Sequence, residues 1–205
     1  RDLHSFPTRR SSDLWAIGTD KARVPGKDEI KEKLELVNYK DISLNKKEKS
    51  VKLNKKGMEI DLGGIAKGYA ADKIVEYLKS QNIKFKDFGT YSEEACDYAD
   101  IALPVAEAVV AKEFDFGILI CGTGIGIGIA ANKVPGIRAA LCSDTFSAHA
   151  TREHNDANIL TLGERVVGKG LAIDIVKAFL GAEFEGDRHI RRINKITEIE
   201  KKYSK

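Results

Sequence analysis

Residues 116–131 read FGILICGTGIGIGIAA. The apolar run Ile118, Leu119, Ile120, Cys121 is short enough for a strand buried on both faces. Glycines at every second position follow (Gly122, Gly124, Gly126, Gly128), and then an Ala-rich segment able to start a helix. A buried strand, a glycine turn and a helix N-terminus together aim backbone N–H groups at an anion. Cys121 stands at the lip of that turn, where the positive end of a helix dipole favours a thiolate able to act as base or nucleophile.

The rest of the chain bounds what this element can belong to. At 205 residues the chain holds one medium domain or two small ones. With 42% hydrophobic and 32% charged residues it has a globular composition, and a net charge of +3 does not argue for nucleic acid. No apolar run approaches the roughly 20 residues of a membrane span, and no signal peptide is visible. Cys96, Cys121 and Cys142 form an odd set without CxxC spacing, so neither a disulfide framework nor a metal site is expected, and no cofactor is called for. The expected compartment is the cytoplasm.

Composition divides the chain into three pieces. Residues 1–14 (RDLHSFPTRRSSDL) show no hydrophobic period and resemble a translated sequencing adapter, a non-native tail. Residues 15–71 read as a small α+β fragment. A Pro-led helix would carry Ile30, Leu34 and Val37 on one face, and ISLN and VKLN flank a Lys-rich turn as a hairpin. From residue 72 to 205 the pattern alternates between strand and helix. Helices are expected at 73–81, 101–112 (with Leu103, Ala106 and Val110 inward), 147–153, 171–180 and 190–203. Strands are expected at 83–88, 118–121, 137–142 and 159–162, and 91–100 reads as an acidic loop. Strands spaced by helices imply a Rossmann-like three-layer αβα fold with a roughly five-stranded parallel sheet.

Two familiar patterns fail on inspection. Gly126-x-Gly128-x-x-Ala131 fits a loosened dinucleotide fingerprint, but its first glycine comes too late after Ile120. GERVVGKG at 163–170 mimics a P-loop and lacks the hydroxyl residue after Lys169.

The stretch DLGGIAKGYAAD, Asp61 to Asp72, resembles the flavin-binding motif of the FAD:protein FMN transferases, of which this would be a fragment. The larger part resembles ribose-5-phosphate isomerase B. The carrying stretches are DFGTYSEEACDYADIALPVAEAV, GILICGTGIGIGIAANKVPGIRAALC, REHNDANIL, LGERVVG and FEGDRHIRRI. That resemblance implies an aldose–ketose isomerase acting on a phosphopentose through an enediolate. Such chemistry needs a base over the carbons, donors for the oxyanion, a ring-opening acid and a phosphate grip. It implies Cys121 as base and His154 as ring-opening proton donor. Gly122, Thr123, Gly124, Ile125 and Gly126 would offer donors to the enediolate oxygen, and Asn155 would bind substrate. Arg165, Arg188 and Arg192 would hold phosphate and sugar; Arg188 and Arg192, four apart, share a helix face. His189 is a weaker candidate for the same site, and His149 reads as a solvated helix residue. The resemblance also implies a homodimer, with one subunit's His154 and Asn155 completing the other's Cys121 pocket.

The family's opening strand and its Asp-His pair are missing. Ile65 and Ala66 fall where that pair belongs, and Glu59–Leu62 falls on the first strand, expected beside 118–121. The join lies near Ala70 to Leu78, within a helix common to both parents. Three function classes stay open: a phosphopentose isomerase, a flavin-related transferase module, and an inactive chimera. Ribose 5-phosphate and allose 6-phosphate are not separated as substrates.

Overall fold

The computed structural model describes residues 20–60, 63–90 and 96–203. The 1–14 tail and part of the 59–62 segment (Asp61 and Leu62) lie outside them, as do residues 91–95 of the expected acidic loop. The chain divides into two compact units between Ala66 and Lys67, and each is described by itself.

In the smaller unit, helix α1 spans Lys27–Leu34. A short 3-10 turn at Tyr39–Asp41 is capped by Asn38, whose side chain accepts from the Lys40 amide. Strands β1 (Ile42–Asn45) and β2 (Ser50–Leu53) pair antiparallel, Ile42 opposite Leu53. The hairpin therefore forms as expected. The apolar helix face does not: Val37 lies beyond α1, and Leu34 and Val37 are exposed. Both hairpin strands are largely exposed as well, so neither offers a buried surface for that face to cover.

Helix α2 spans Gly63–Ser80, longer than the 73–81 helix the sequence suggests. In the larger unit α3 runs Tyr98–Val110, β3 Gly117–Cys121, α4 Ile125–Ala131, β4 Ala139–Leu141 and α5 Thr145–Asn155. Strand β5 (Ile159–Gly163), α6 (Lys169–Gly181) and α7 (Asp187–Tyr203) complete it. The described sheet has three parallel strands in the order β3-β5-β4, with Gly117 opposite Ile159 and Ala139 opposite Ile159 on the other side.

Helices cover both faces, giving the Rossmann-like αβα arrangement. One core joins Ile74 and Leu78 of α2 to Leu160 and Leu162 of β5 and to Ile175, Val176 and Phe179 of α6. The other joins Ala102, Val105, Ala106 and Val109 of α3 to Ile127 and Ala131 of α4 and Leu119 of β3. The two sets of β5 side chains, Ile159 against Leu160 and Leu162, follow the period-two alternation of a strand between two layers.

Two local expectations are corrected. Residues 83–88 form no strand. Their rings find other cover: Lys79 lies over Phe85 at 5.7 Å, Lys86 over Phe88 at 4.5 Å, and Phe88 meets Phe114 edge-on at 5.9 Å. The lysine ammonium groups sit over the ring faces, while Ile83 and Phe85 stay exposed. The inward face of α3 is also rotated. Leu103 and Val110 are exposed, whereas Ala102, Val105, Ala106 and Val109 are buried. Small alanines let α3 approach the glycine-rich α4, a contact that a leucine would hold apart. No helix among the described residues is long and apolar enough to cross a membrane.

Candidate active site

The sequence-derived residues fall into two groups. The first is built where β3 runs out. Cys121 is the last residue of β3, and Gly124, in the left-handed region at φ 78°, caps α4. That turn brings the Gly124 amide to 3.1 Å from the Cys121 sulfur. The Thr123 hydroxyl accepts from the Ile125 amide at 3.3 Å. Cys121 and Gly122 carbonyls accept from the Glu164 and Arg165 amides at 2.9 and 3.1 Å, so the segment after β5 is tied to the glycine turn.

The close approach requires glycines at particular places. A Cβ on Gly163 would meet the Thr123 carbonyl group at 2.6 Å, and one on Gly126 would meet the Tyr98 ring at 2.9 Å. Arg165 lies beside Gly122, its Nε 3.6 Å from where a Cβ would stand. Its side chain is exposed, while that of Glu164, which accepts from Arg165 Nε at 3.4 Å, is almost fully buried. Cys121 is half-buried, in contrast to Cys142, which is buried and whose thiol is pushed up to about 11 by burial and by Asp144. Cys142 therefore stays a neutral core thiol.

The second group sits where the end of α5 meets the start of α7. His154 and Asn155 close α5, and Asp156 stops it in the left-handed region at φ 45°. The Asp156 carboxylate accepts from Arg152 Nη1 and from Arg138 Nη2, each at 2.7 Å, and Arg138 Nε donates to the Asn155 carbonyl at 2.9 Å. Across the gap the Glu185 amide donates to the Glu153 carbonyl at 3.1 Å. Helix α7 then presents Arg188, His189 and Arg192. Arg188 and Arg192, four apart in α7, share one face, and Arg192 Nη1 donates to the Arg188 carbonyl at 3.2 Å.

His189 is buried and its ring lies flat against His154, centroids 4.5 Å apart and planes within 4°. Burial, His154, Arg188 and Arg192 all hold the His189 proton affinity below the ordinary histidine value, and Glu185 opposes them. His154, Glu185 and His189 bring donor atoms within 4.8 Å of one another. The rings are parallel, however, so their in-plane lone pairs do not converge on one metal position. His149 is exposed and pairs with Glu153 at 3.0 Å.

Among the described residues no hydrogen bond, ion pair or ring contact joins the two groups. The supporting residues Arg138, Arg152, Asp156 and Glu164 escape a reading of the sequence. All four are charged; Arg152, Asp156 and Glu164 flank the apolar run of β5, and Arg138 directly precedes β4.

Residues 60–196, most of the chain, match the model of a family described as Ribose/Galactose Isomerase. The chain belongs to that family. Within it, the Ribose-5-phosphate isomerase B of Escherichia coli is 52% identical over 130 residues, covering 63% of this chain and 87% of the relative. Ribose-5-Phosphate Isomerase B of Clostridium thermocellum superposes with a TM-score of 0.65 at 58% identity, over 68% of this chain and 95% of that one. A structure of the Mycoplasma genitalium Ribose-5-phosphate Isomerase B with bound ribulose-5-phosphate aligns at 43% identity and a TM-score of 0.63, over 66% and 91% of the two chains. A second model, the ApbE family, matches residues 8–85. The two matches overlap at 60–85, a stretch that contains α2.

Proposed function

We propose that the chain is a phosphopentose isomerase that interconverts ribose 5-phosphate and ribulose 5-phosphate through an enediolate. Cys121 removes the proton from C2 of the open-chain aldose and returns it to C1, while the enediolate oxygen takes donors from the turn Gly122–Gly126. His154 donates the proton that opens the sugar ring, Asn155 binds the sugar, and Arg165, Arg188 and Arg192 hold phosphate and sugar through charge-assisted hydrogen bonds. The observation that carries the reading is the Gly124 amide aimed at the Cys121 sulfur at 3.1 Å, because a base that cycles between thiol and thiolate needs such a donor. Ribulose-5-phosphate bound to the Mycoplasma genitalium relative supports the substrate class.

Among the described residues no hydrogen bond, ion pair or ring contact joins the Cys121 group to the His154 group, which supports a site shared by two copies. The working form is then a homodimer, in the cytoplasm, with the isomerase part at residues 72–205 and a flavin-transferase-like fragment at 15–71. A second reading, an inactive chimera, is favoured by the overlapping family matches and by Ile65 and Ala66, which offer no polar side chain where the family's Asp-His pair belongs. Losing two positioned polar contacts at about 1–3 kcal/mol each lowers catalytic efficiency by roughly two to four orders of magnitude.

A coupled assay on ribose 5-phosphate, with allose 6-phosphate as the competing substrate, separates these readings. The chain is expected to be slow, the double change Ile65→Asp and Ala66→His to speed it, and Cys121→Ala to abolish turnover in that background. Turnover that survives Cys121→Ala overturns the assigned base. Failure of the double change to restore any turnover favours the inactive chimera.

A further inference from the structure

We propose that His189 is a positioning residue that sets two site groups at once: the ring plane of His154, by stacking, and the guanidinium of Arg188, by accepting its Nε–H. The inference rests on the reading of His154 as ring-opening acid and Arg188 as phosphate contact.

The geometry is specific. Arg188 Nε lies 3.1 Å from His189 Nε2. A guanidinium nitrogen only donates, so Nε2 must be the accepting nitrogen and the ring proton sits on Nδ1 in the neutral form. A proton on Nε2 is fixed in the ring plane and would crowd the Arg188 Nε–H, with the Glu185 carboxylate, 3.4 Å away, as its acceptor. Burial first, then His154, Arg188 and Arg192, oppose that charge, which supports the uncharged form. An uncharged flat ring can lie against His154 whether or not His154 carries its proton, without like-charge repulsion. Using Arg188 Nε for His189 leaves the two terminal nitrogens of the same guanidinium free to meet an oxyanion side by side. The His189 amide in turn donates to the Gly186 carbonyl at 2.8 Å, which fixes where the ring starts. His189 is 6% exposed, too covered for a primary substrate contact and well placed to act through its neighbours.

Two substitutions in the full chain separate the two functions. His189→Phe keeps a flat ring and loses the acceptor for Arg188. It is expected to raise KM for ribose 5-phosphate about tenfold, the loss of one charge-assisted contact, with kcat little changed. His189→Gln keeps an acceptor oxygen and loses the ring. It is expected to lower kcat on the order of ten- to a hundredfold, as misplacement of a reacting group does, with KM little changed. A purely structural role would move both parameters together, by the folded fraction, in both variants, and that result overturns the proposal. His154→Gln is the control for the underlying reading: unchanged kcat there means that His154 is not the acid, whatever His189 does. Nitrogen-15 spectra of the histidine rings decide the matter independently of turnover. They are expected to show His189 uncharged at neutral pH with its proton on Nδ1, and a proton on Nε2 would sink the proposal.

Discussion

The backbone amide of Gly124 points at the sulfur of Cys121, nitrogen to sulfur 3.1 Å. That relationship depends on how closely the glycine turn lies on the end of β5. Gly124 holds φ 78°, and a Cβ there would stand 2.5 Å from the Leu141 Cδ1 and 2.8 Å from the Leu162 carbonyl carbon. A Cβ on Gly163 would press on the Thr123 carbonyl at 2.6 Å. Backbone cannot yield as a side-chain tip does, so Gly124→Ala and Gly163→Ala are each expected to destabilise the fold by about 1–3 kcal/mol. Urea unfolding measures the loss. Wild-type stability in both variants would mean that the turn has room to move.

The three cysteines are expected to react in a fixed order. Cys96 is exposed, Cys121 half-buried, and Cys142 buried with its thiol pushed up to about 11. Alkylation follows thiolate fraction and access together. Iodoacetamide at mildly alkaline pH should label Cys96 and Cys121 in the folded chain and reach Cys142 only after denaturant is added, as read by peptide mass spectrometry. Labelling of Cys142 in the folded chain at the rate of Cys96 would contradict the packing described.

Why some of this was legible in the sequence and some was not follows from the length scale of each signal. The run ILIC and its glycines carry their own strand, turn and helix start within sixteen residues, so β3, α4 and the place of Cys121 could be read directly. The shared face of Arg188 and Arg192 was legible because helix spacing alone puts residues four apart on one side of α7. The inward face of α3 was not, because Leu103 looks like core until the glycine-rich α4 is known to need a thin partner. Segment 83–88 alternates like a strand, and only its surroundings decide that its rings meet lysine ammonium groups and Phe114 in place of a neighbouring strand. The stack of His154 on His189 joins residues thirty-five positions apart on two helices, a relation no local pattern encodes.

Stability is expected to depend on pH through His189. Burial, then His154, Arg188 and Arg192, depress its proton affinity in the fold, while the unfolded chain has the ordinary value of 6.5. The unfolded state therefore binds this proton more readily. The contribution is fully present above pH 6.5 and is lost as pH falls from there towards the depressed folded value. Denaturant unfolding at about pH 7.5 and about pH 5.5 should show a loss on acidification that is smaller in His189→Gln. An equal loss in both proteins would show that His189 is not the responsible group.

The last expectation concerns what holds the His154–Asn155 end of α5 in place. Arg152 is 7% exposed, its guanidinium over the rings of Phe116 and Phe179 at 4.5 and 5.9 Å. Its Nη1 donates to Asp156 and to the Ala157 carbonyl at 2.7 and 2.9 Å. Asp156 also takes Arg138 at 2.7 Å, and Arg138 reaches back to the Asn155 carbonyl. One carboxylate thus anchors a buried and a half-buried cation at the end of α5 that carries His154 and Asn155. Asp156→Asn isolates the charge, because Asn tolerates the left-handed φ of 45° as well as Asp does. Removing one partner of a buried pair costs about 3–5 kcal/mol, and water reaching the partly exposed Asp156 lowers the expected loss to about 2 kcal/mol. Arg152→Met in the same chain removes the stranded cation and leaves an apolar stem against the two rings. The double variant is therefore expected to recover part of the loss of Asp156→Asn in thermal and urea unfolding. Full stability in Asp156→Asn alone would mean that the Ala157 carbonyl and the two rings suffice to hold Arg152.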